Sequence, residues 1–266
     1  MNQAGDDAVI QVVKPEKIRI GTAGFSYQDW LGNFYPQFCP AADFLRYYAM
    51  NFSSVELDGA FYRIPSPETV RKWSQATPDN FVFAAKFPRT VTHEGDIPGR
   101  LEQAGLFIDV IKGLGRKLGP LVLQFPYSFK HDSCGIFKEL VEAMPKDLKI
   151  VVELRNKCWF EDGLFQWLSK RGISLCLVDH PWVPRLKVRT ADFQYIRFLG
   201  DREALTEDFS YIRFDREEEL HWWADLTKEF ASDRGEIYGY FNNHYSGHAP
   251  STAYRFLELL AEKPGG

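Results

Sequence analysis

Leu121-Val122-Leu123-Gln124-Phe125 and, further along, Lys149-Ile150-Val151-Val152-Glu153-Leu154-Arg155 each carry apolar side chains at consecutive positions before turning polar. A strand with one wet face alternates, whereas one covered on both faces does not. Runs of this kind recur at Ile18–Gly24, Ser53–Asp58, Phe81–Phe87, Leu121–Phe125, Lys149–Arg155, Ser174–Asp179, Gln194–Gly200 and Glu236–Asn242. Between them, apolar spacing and breakers predict helices at Asp43–Met50, Pro67–Gln75, Leu101–Leu118, Cys134–Ala143, Leu164–Arg171, Glu217–Phe230 and Pro250–Ala261. The connection His180–Ala191 holds Pro181 and Pro184 and is expected to contain little helix. Such alternation means βαβ units and a parallel sheet. Eight units in 266 residues suit a single (β/α)8 TIM-type barrel, which needs about 250, better than an open doubly wound sheet. The barrel is assigned to residues 18–262, after an N-terminal extension of residues 1–17. Gly21-Thr22-Ala23-Gly24 is too short a glycine pattern for dinucleotide binding.

Composition narrows the class. At 45% hydrophobic and 26% charged, the chain is neither disordered, collagenous nor a coiled coil. A net charge of -4 opposes the basic footprint of a non-specific nucleic-acid binder. The first residues carry Asp6 and Asp7 and no apolar signal-peptide core, and no stretch is apolar for the 18 or so residues that a membrane span needs. No membrane partner is expected. Cys39, Cys134, Cys158 and Cys176 are too scattered for a zinc set or a disulfide framework, and they read as reduced thiols of a cytoplasmic protein.

A charged side chain inside a buried strand needs partners or water, and the mouth at the strands' C-terminal ends supplies both. That rule selects Glu56, Asp58, Lys86, Gln124, Glu153, Arg155, Asp179, Arg197, Asn242 and Asn243. Residues two apart share a face, so Glu56 with Asp58, and Glu153 with Arg155, point inward at two depths. One reading of this set is a structural ion-pair network, the other a functional site. In the loops, His93 follows the third strand with an ordinary pKa near 6.5, suited to acid/base work. Trp30, Phe34, Tyr35, Phe61 and Tyr62 could wall a ligand pocket or form a satellite core. Asn242-Asn243-His244 with His248 has a helical metal spacing, but Tyr245-Ser246-Gly247 favours a loop.

Several strings, taken in order, resemble the YecE-like family, domain-of-unknown-function family 72. They are Gly21-Thr22-Ala23-Gly24-Phe25 with Tyr27 and Trp30, Phe34-Tyr35-Pro36, Val55-Glu56-Leu57-Asp58 with Phe61-Tyr62, and Phe81-Val82-Phe83-Ala84-Ala85-Lys86 before Thr92-His93. Gln124-Phe125-Pro126, Val152-Glu153-Leu154-Arg155 with Trp159, and Phe241-Asn242-Asn243 with Gly247 and Ala249 continue the series. The resemblance runs from Ile18 to Leu260. It implies a TIM-type barrel and no assigned activity, and it places polar positions at Glu56, Lys86, His93, Gln124, Glu153, Arg155, Arg197 and Asn242. The family often has Asn where Asp58 stands and His where Leu199 stands, so a mechanism needing a histidine at that strand end does not carry over.

Three functions compete. The first is a metal-independent barrel enzyme for a small phosphorylated or carboxylated substrate. Lys86, Arg155 and Arg197 would hold the anion, His93, Glu153 and Glu56 would serve as acid/base groups, and Gln124, Asn242, Tyr62 and Trp30 would contact the substrate. The second is a divalent-metal phosphoesterase, nuclease or sugar isomerase with Glu56, Asp58, Glu153 and Asp179 as ligands. The third is a binding module stacking a single-stranded nucleic acid, or docking a partner, on exposed aromatics, which the acidic balance weakens. The first is favoured, with no cofactor expected.

Overall fold

The structure is a computed structural model that describes residues 17–205, 207–232 and 235–262. The expected N-terminal extension therefore lies, apart from Lys17, outside the described residues. The strands are β1 (Ile18–Thr22), β2 (Ser54–Leu57), β3 (Val82–Lys86), β4 (Leu118–Gln124), β5 (Ile150–Glu153), β6 (Ser174–Asp179), β7 (Phe193–Phe198) and β8 (Glu236–Phe241). They are hydrogen-bonded in the order β1-β8-β7-β6-β5-β4-β3-β2, with parallel pairings throughout. The helices are α1 (Phe44–Asn51), α2 (Pro67–Gln75), α3 (Arg89–Thr92), α4 (Ile97–Ile111), α5 (Cys134–Glu142), α6 (Asp162–Ser169), α7 (Glu217–Ser232), α8 (Asn243–Ser246) and α9 (Ala249–Ala261). This is the (β/α)8 barrel that the alternating pattern predicts.

Local chemistry explains where the elements depart from expectation. β4 starts earlier, at Leu118, and runs through Gly119, where an added Cβ would lie 2.4 Å from Val82 Cγ1 of β3. The glycine lets the two strands close up. α4 starts earlier too, because Asp96 accepts a hydrogen bond from Gly99 N and Pro98 fits the first turn. It stops at Ile111, well short of Leu118, since Gly115 adopts φ +57° and the chain continues only as a 3-10 turn. Between β6 and β7 the described residues form no α-helix, as the prolines predict. Tyr245-Ser246, expected in a loop, ends the single turn of α8, which Asn242 caps through the amide of His244.

The core has two compartments. Between strands and helices lie Phe44, Phe107, Leu140, Leu168, Trp223 and Phe256, all buried. Inside the barrel, Ala84, Val122, Val151, Cys176, Tyr195 and Tyr240 pack together. The interior is thus filled, and the polar side chains of the same inward rows sit above it at the mouth.

Closure is incomplete at one seam. Among the described residues, β1 meets β2 in a single backbone bridge, Ala23–Glu56, where Gly24 N donates to Glu56 O at 2.9 Å. Below that bridge the Tyr48 hydroxyl of α1 is wedged between the strands, accepting from Thr22 N at 2.9 Å and donating to Ser54 O at 3.1 Å. Gly21 makes the wedge possible, since a Cβ there would fall 2.1 Å from Ser54 O. Among the described residues no helix is long and apolar enough to cross a membrane. All four cysteines are free thiols.

Candidate active site at the barrel mouth

The inward rows of β2, β3, β5 and β7 end in Glu56, Lys86, Glu153 and Arg197, which the fold brings into one cluster. Arg197 is 1% exposed and sits at its centre. Its Nη1 donates to Glu153 Oε2 at 2.6 Å and its Nη2 to Glu56 Oε1 at 2.7 Å, with Asp58 Oδ1 at 3.4 Å. Tyr195, one layer deeper on the same strand, donates its hydroxyl to Glu56 Oε2 at 2.7 Å. Arg155 Nε donates to the other oxygen of Glu153 at 2.8 Å. Lys86 Nζ lies 3.0 Å from Asp58 Oδ1 and 4.0 Å above the Phe61 ring. Gln124 donates to Phe125 O beside this cluster.

The two glutamates differ because their cations differ. Burial pushes both carboxyls up. For Glu153, the guanidiniums of Arg197 and Arg155, with Lys86, overcome that push and hold it down at about 2. Glu56 faces one guanidinium and has Asp58 beside it, so it stays raised. Asp58 is lowered: burial opposes this, but Lys86 and Arg197 prevail. Lys86 is lowered, first by burial and then by Arg197, against the pull of Asp58, Glu153 and Glu56. Environments that drive neighbouring groups apart are what acid/base sites require.

Several expectations are corrected. Glu153 is ionised and saturated by two guanidiniums, so it anchors charge and does not trade protons near neutral pH. Arg197 has both terminal nitrogens bound to carboxylates, which removes it from direct contact with an anion. Of the three expected anion holders, Arg155 is the one with an accessible side chain, 27% exposed. His93 does not keep an ordinary pKa; burial, then Lys86, Arg89, Arg155 and Arg100, push it down to about 4. It is a neutral imidazole at pH 7, with Nδ1 2.8 Å from Thr92 Oγ1 and its ring against Phe61.

The aromatic group splits in two. Trp30 is fully buried, with its indole N–H on Asn243 Oδ1 at 3.1 Å, and packs with Phe34 and Tyr35 in a satellite core, so it is no substrate contact. Phe61 and Tyr62 remain at the mouth, Tyr62 being 70% exposed. Asp179 faces outward, accepting from Trp223 Nε1 at 2.7 Å and Tyr245 OH at 2.9 Å, which excludes it from a metal site with the inward carboxylates. Glu56, Asp58 and Glu153 are each paired with a cation, and among the described residues no trio of His, Cys, Asp or Glu converges to hold a metal. The set does not fit the divalent ion that the second reading required. His248 caps α9, accepting from Ser251 N, and does not join His244 in a ligand pair.

A cleft of about 920 Å³ opens beside the cluster. Asp58, Tyr62 and Asn242 belong to its lining, together with Tyr27, Arg63, Arg202 and Phe209, which the sequence reading does not pick out, and His244, which it weighs only as a metal ligand. Tyr27, Arg63, Arg202 and Phe209 sit in loops after β1, β2 and β7, where no hydrophobic period marks a residue, and His244 lies in the single turn of α8. His180 was also missed, although it follows a strand end and its pKa is lowered by burial and by Arg155 at the mouth. Volume and mixed lining are those of a small-molecule site.

Fold and mouth together define a parallel barrel protein with a polar cluster and an adjoining cleft at the C-terminal ends of its strands. Residues 19–266 match the family described as "Protein of unknown function DUF72", and the chain belongs to that family. It is 27% identical over 181 residues to the UPF0759 protein YecE of Escherichia coli K12, a stretch covering 59% of this chain and 66% of YecE. It is 25% identical to the UPF0759 protein YunF of Bacillus subtilis, over 91% of this chain and 94% of YunF. A DUF72 family protein from Thermotoga maritima superposes with a TM-score of 0.78 at 30% identity, covering 92% of this chain and 99% of that one. One from Enterococcus faecalis does so with a TM-score of 0.72 at 25% identity, covering 93% and 97%.

Proposed function

We propose that the chain is a barrel enzyme that binds a small phosphorylated or carboxylated substrate at the mouth and carries out acid/base or hydrolytic chemistry on it. Arg155 holds the anion. His93 moves the proton. Asn242 and Tyr62, on the cleft side, contact the rest of the substrate.

The observation that supports this reading is the surrounding of His93. Its neutral ring stands among four cations, Lys86, Arg89, Arg155 and Arg100. An anion in their midst offsets their repulsion of the imidazolium, so binding raises the proton affinity of His93. Guanidinium groups offer phosphate and carboxylate paired donors, which suits Arg155 to the task.

The expected result is thermal stabilisation of the protein by inorganic phosphate or succinate, about 2.7 kcal/mol at a hundred times Kd. In Arg155→Ala that stabilisation disappears. Titration of His93 by NMR is expected to move from about 4 toward the ordinary value of 6.5 as the same anion is added. Equal stabilisation of wild type and Arg155→Ala by every anion tried, with a stationary His93, refutes the assignment.

A further inference from the structure

The cluster contains a group that anion binding leaves unused. Lys86 ends the inward row of β3, its side chain 5% exposed, with its amine held between the Asp58 carboxylate and the Phe61 ring. Asp58 is more open, at 18% of its side chain, and lines the cleft. Both partners belong to one short turn, Asp58–Phe61, whose Gly59 has open space where a Cβ would be. A molecule in the cleft therefore meets Asp58, the carboxylate that pairs with the amine.

We propose that Lys86 is a nucleophilic amine that forms an imine with the carbonyl group of an anionic substrate, an oxo acid or a phosphorylated aldehyde or ketone. The inference rests on the anion-binding reading and names the substrate class for the same mouth. Three features carry it. The amine is desolvated at a strand end on the functional face, a carboxylate stands within proton-transfer distance, and Arg155, paired with Glu153 in the same cluster, keeps a part-exposed guanidinium at the mouth. Burial and the neighbouring Arg197 also favour the free amine over the ammonium, the combination that activates lysine in carbonyl chemistry.

The step balances without a further reactant. The Lys86 ammonium passes one proton to Asp58, and the freed amine attacks the carbonyl carbon, forming a C–N bond. The carbonyl oxygen takes up that proton to become a hydroxyl. Loss of the hydroxyl with the second nitrogen proton breaks the C–O bond and releases water. Ammonium and carbonyl thus become iminium and water, with no change of oxidation state. The iminium withdraws electrons from the adjacent carbon, whose proton a neutral His93 then removes.

The test is reductive trapping of the full-length protein with pyruvate, and separately with glyoxylate, in the presence of cyanoborohydride, followed by peptide mass mapping. The expected result is one reduced adduct on Lys86, with exposed lysines such as Lys72 left largely unlabelled. Exposed lysines of the same molecule serve as internal controls, so no variant has to fold for the result to be read. Lys86→Arg, which keeps the charge facing Asp58, is expected to lose the adduct and keep the phosphate stabilisation. Labelling of Lys86 no greater than that of Lys72 with both carbonyl probes overturns the inference. If phosphate stabilisation through Arg155 persists in that case, the anion-binding reading stands while the imine falls. A Lys86 adduct without any anion stabilisation does the opposite, upholding the imine and removing Arg155 as the anion holder.

Discussion

Arg197→Ala is expected to lower the stability of the folded barrel by about 3–5 kcal/mol, the range for removing one partner of a buried ion pair. Arg197 bridges Glu56 and Glu153, both fully buried. Its loss leaves two carboxylates facing each other with Arg155 and Lys86 as the remaining cations. The effect depends on pH with a definite sign. In the wild type the Glu153 pKa is depressed from 4.5 to about 2, so its contribution is complete above 4.5 and is lost as pH falls toward 2. In Arg197→Ala the carboxyls protonate far more readily, so the gap between variant and wild type narrows as the medium is acidified below 4.5. Denaturant unfolding across that range measures it. If the cause is stranded charge, adding Glu56→Gln and Glu153→Gln to an Arg197→Met background recovers most of the loss, because the centre then buries no unpaired carboxylate. A gap that is constant with pH would instead point to lost packing.

Tyr48→Phe is expected to cost about 2–4 kcal/mol, although it removes a single oxygen. Burying the tyrosine leaves its hydroxyl no access to water, and burial pushes its pKa up beyond the ordinary 10. That hydroxyl accepts from Thr22 N and donates to Ser54 O. Phenylalanine strands one backbone donor and one acceptor inside the seam, each worth about 1–3 kcal/mol when left unmade. Amide exchange at Thr22 is expected to accelerate in the variant while amides of the β4–β5 ladder keep their protection. Uniform acceleration across the sheet would show that the seam does not open separately.

The parts of this protein that could be read in the sequence are those where burial constrains residue type. Consecutive apolar positions at Leu121–Leu123 and Ile150–Val152 betray a strand covered on both sides, and the barrel follows. By the same logic, Glu56, Lys86, Glu153 and Arg197 stand out as charges in such strands, and the fold brings all four together. What the pattern leaves open is which partner each charge takes. Glu153 reads as an acid/base group until Arg155 and Arg197 are seen to occupy both its oxygens. Trp30 reads as a pocket wall because its anchor, Asn243, lies more than two hundred positions away in the chain. Arg202 and Phe209 line the cleft from loops whose conformation no period encodes. Asp179 illustrates the finest ambiguity, since one step along β6 exchanges the barrel interior, where Val178 packs, for the helix layer.

The seam between β1 and β2 also orders events during synthesis. β1 pairs with β8 along five registers, from Ile18 with Ile237 to Thr22 with Phe241, and reaches β2 through little more than one bridge and the Tyr48 hydroxyl. As a nascent chain leaves the ribosome from its N-terminus, β2 to β7 can add to one another in turn. β1 cannot, because the strand that satisfies its backbone is the last to emerge. Its edge stays unpaired for most of translation, so the final strand both completes the sheet and retires the longest-lived aggregation-prone edge in the chain.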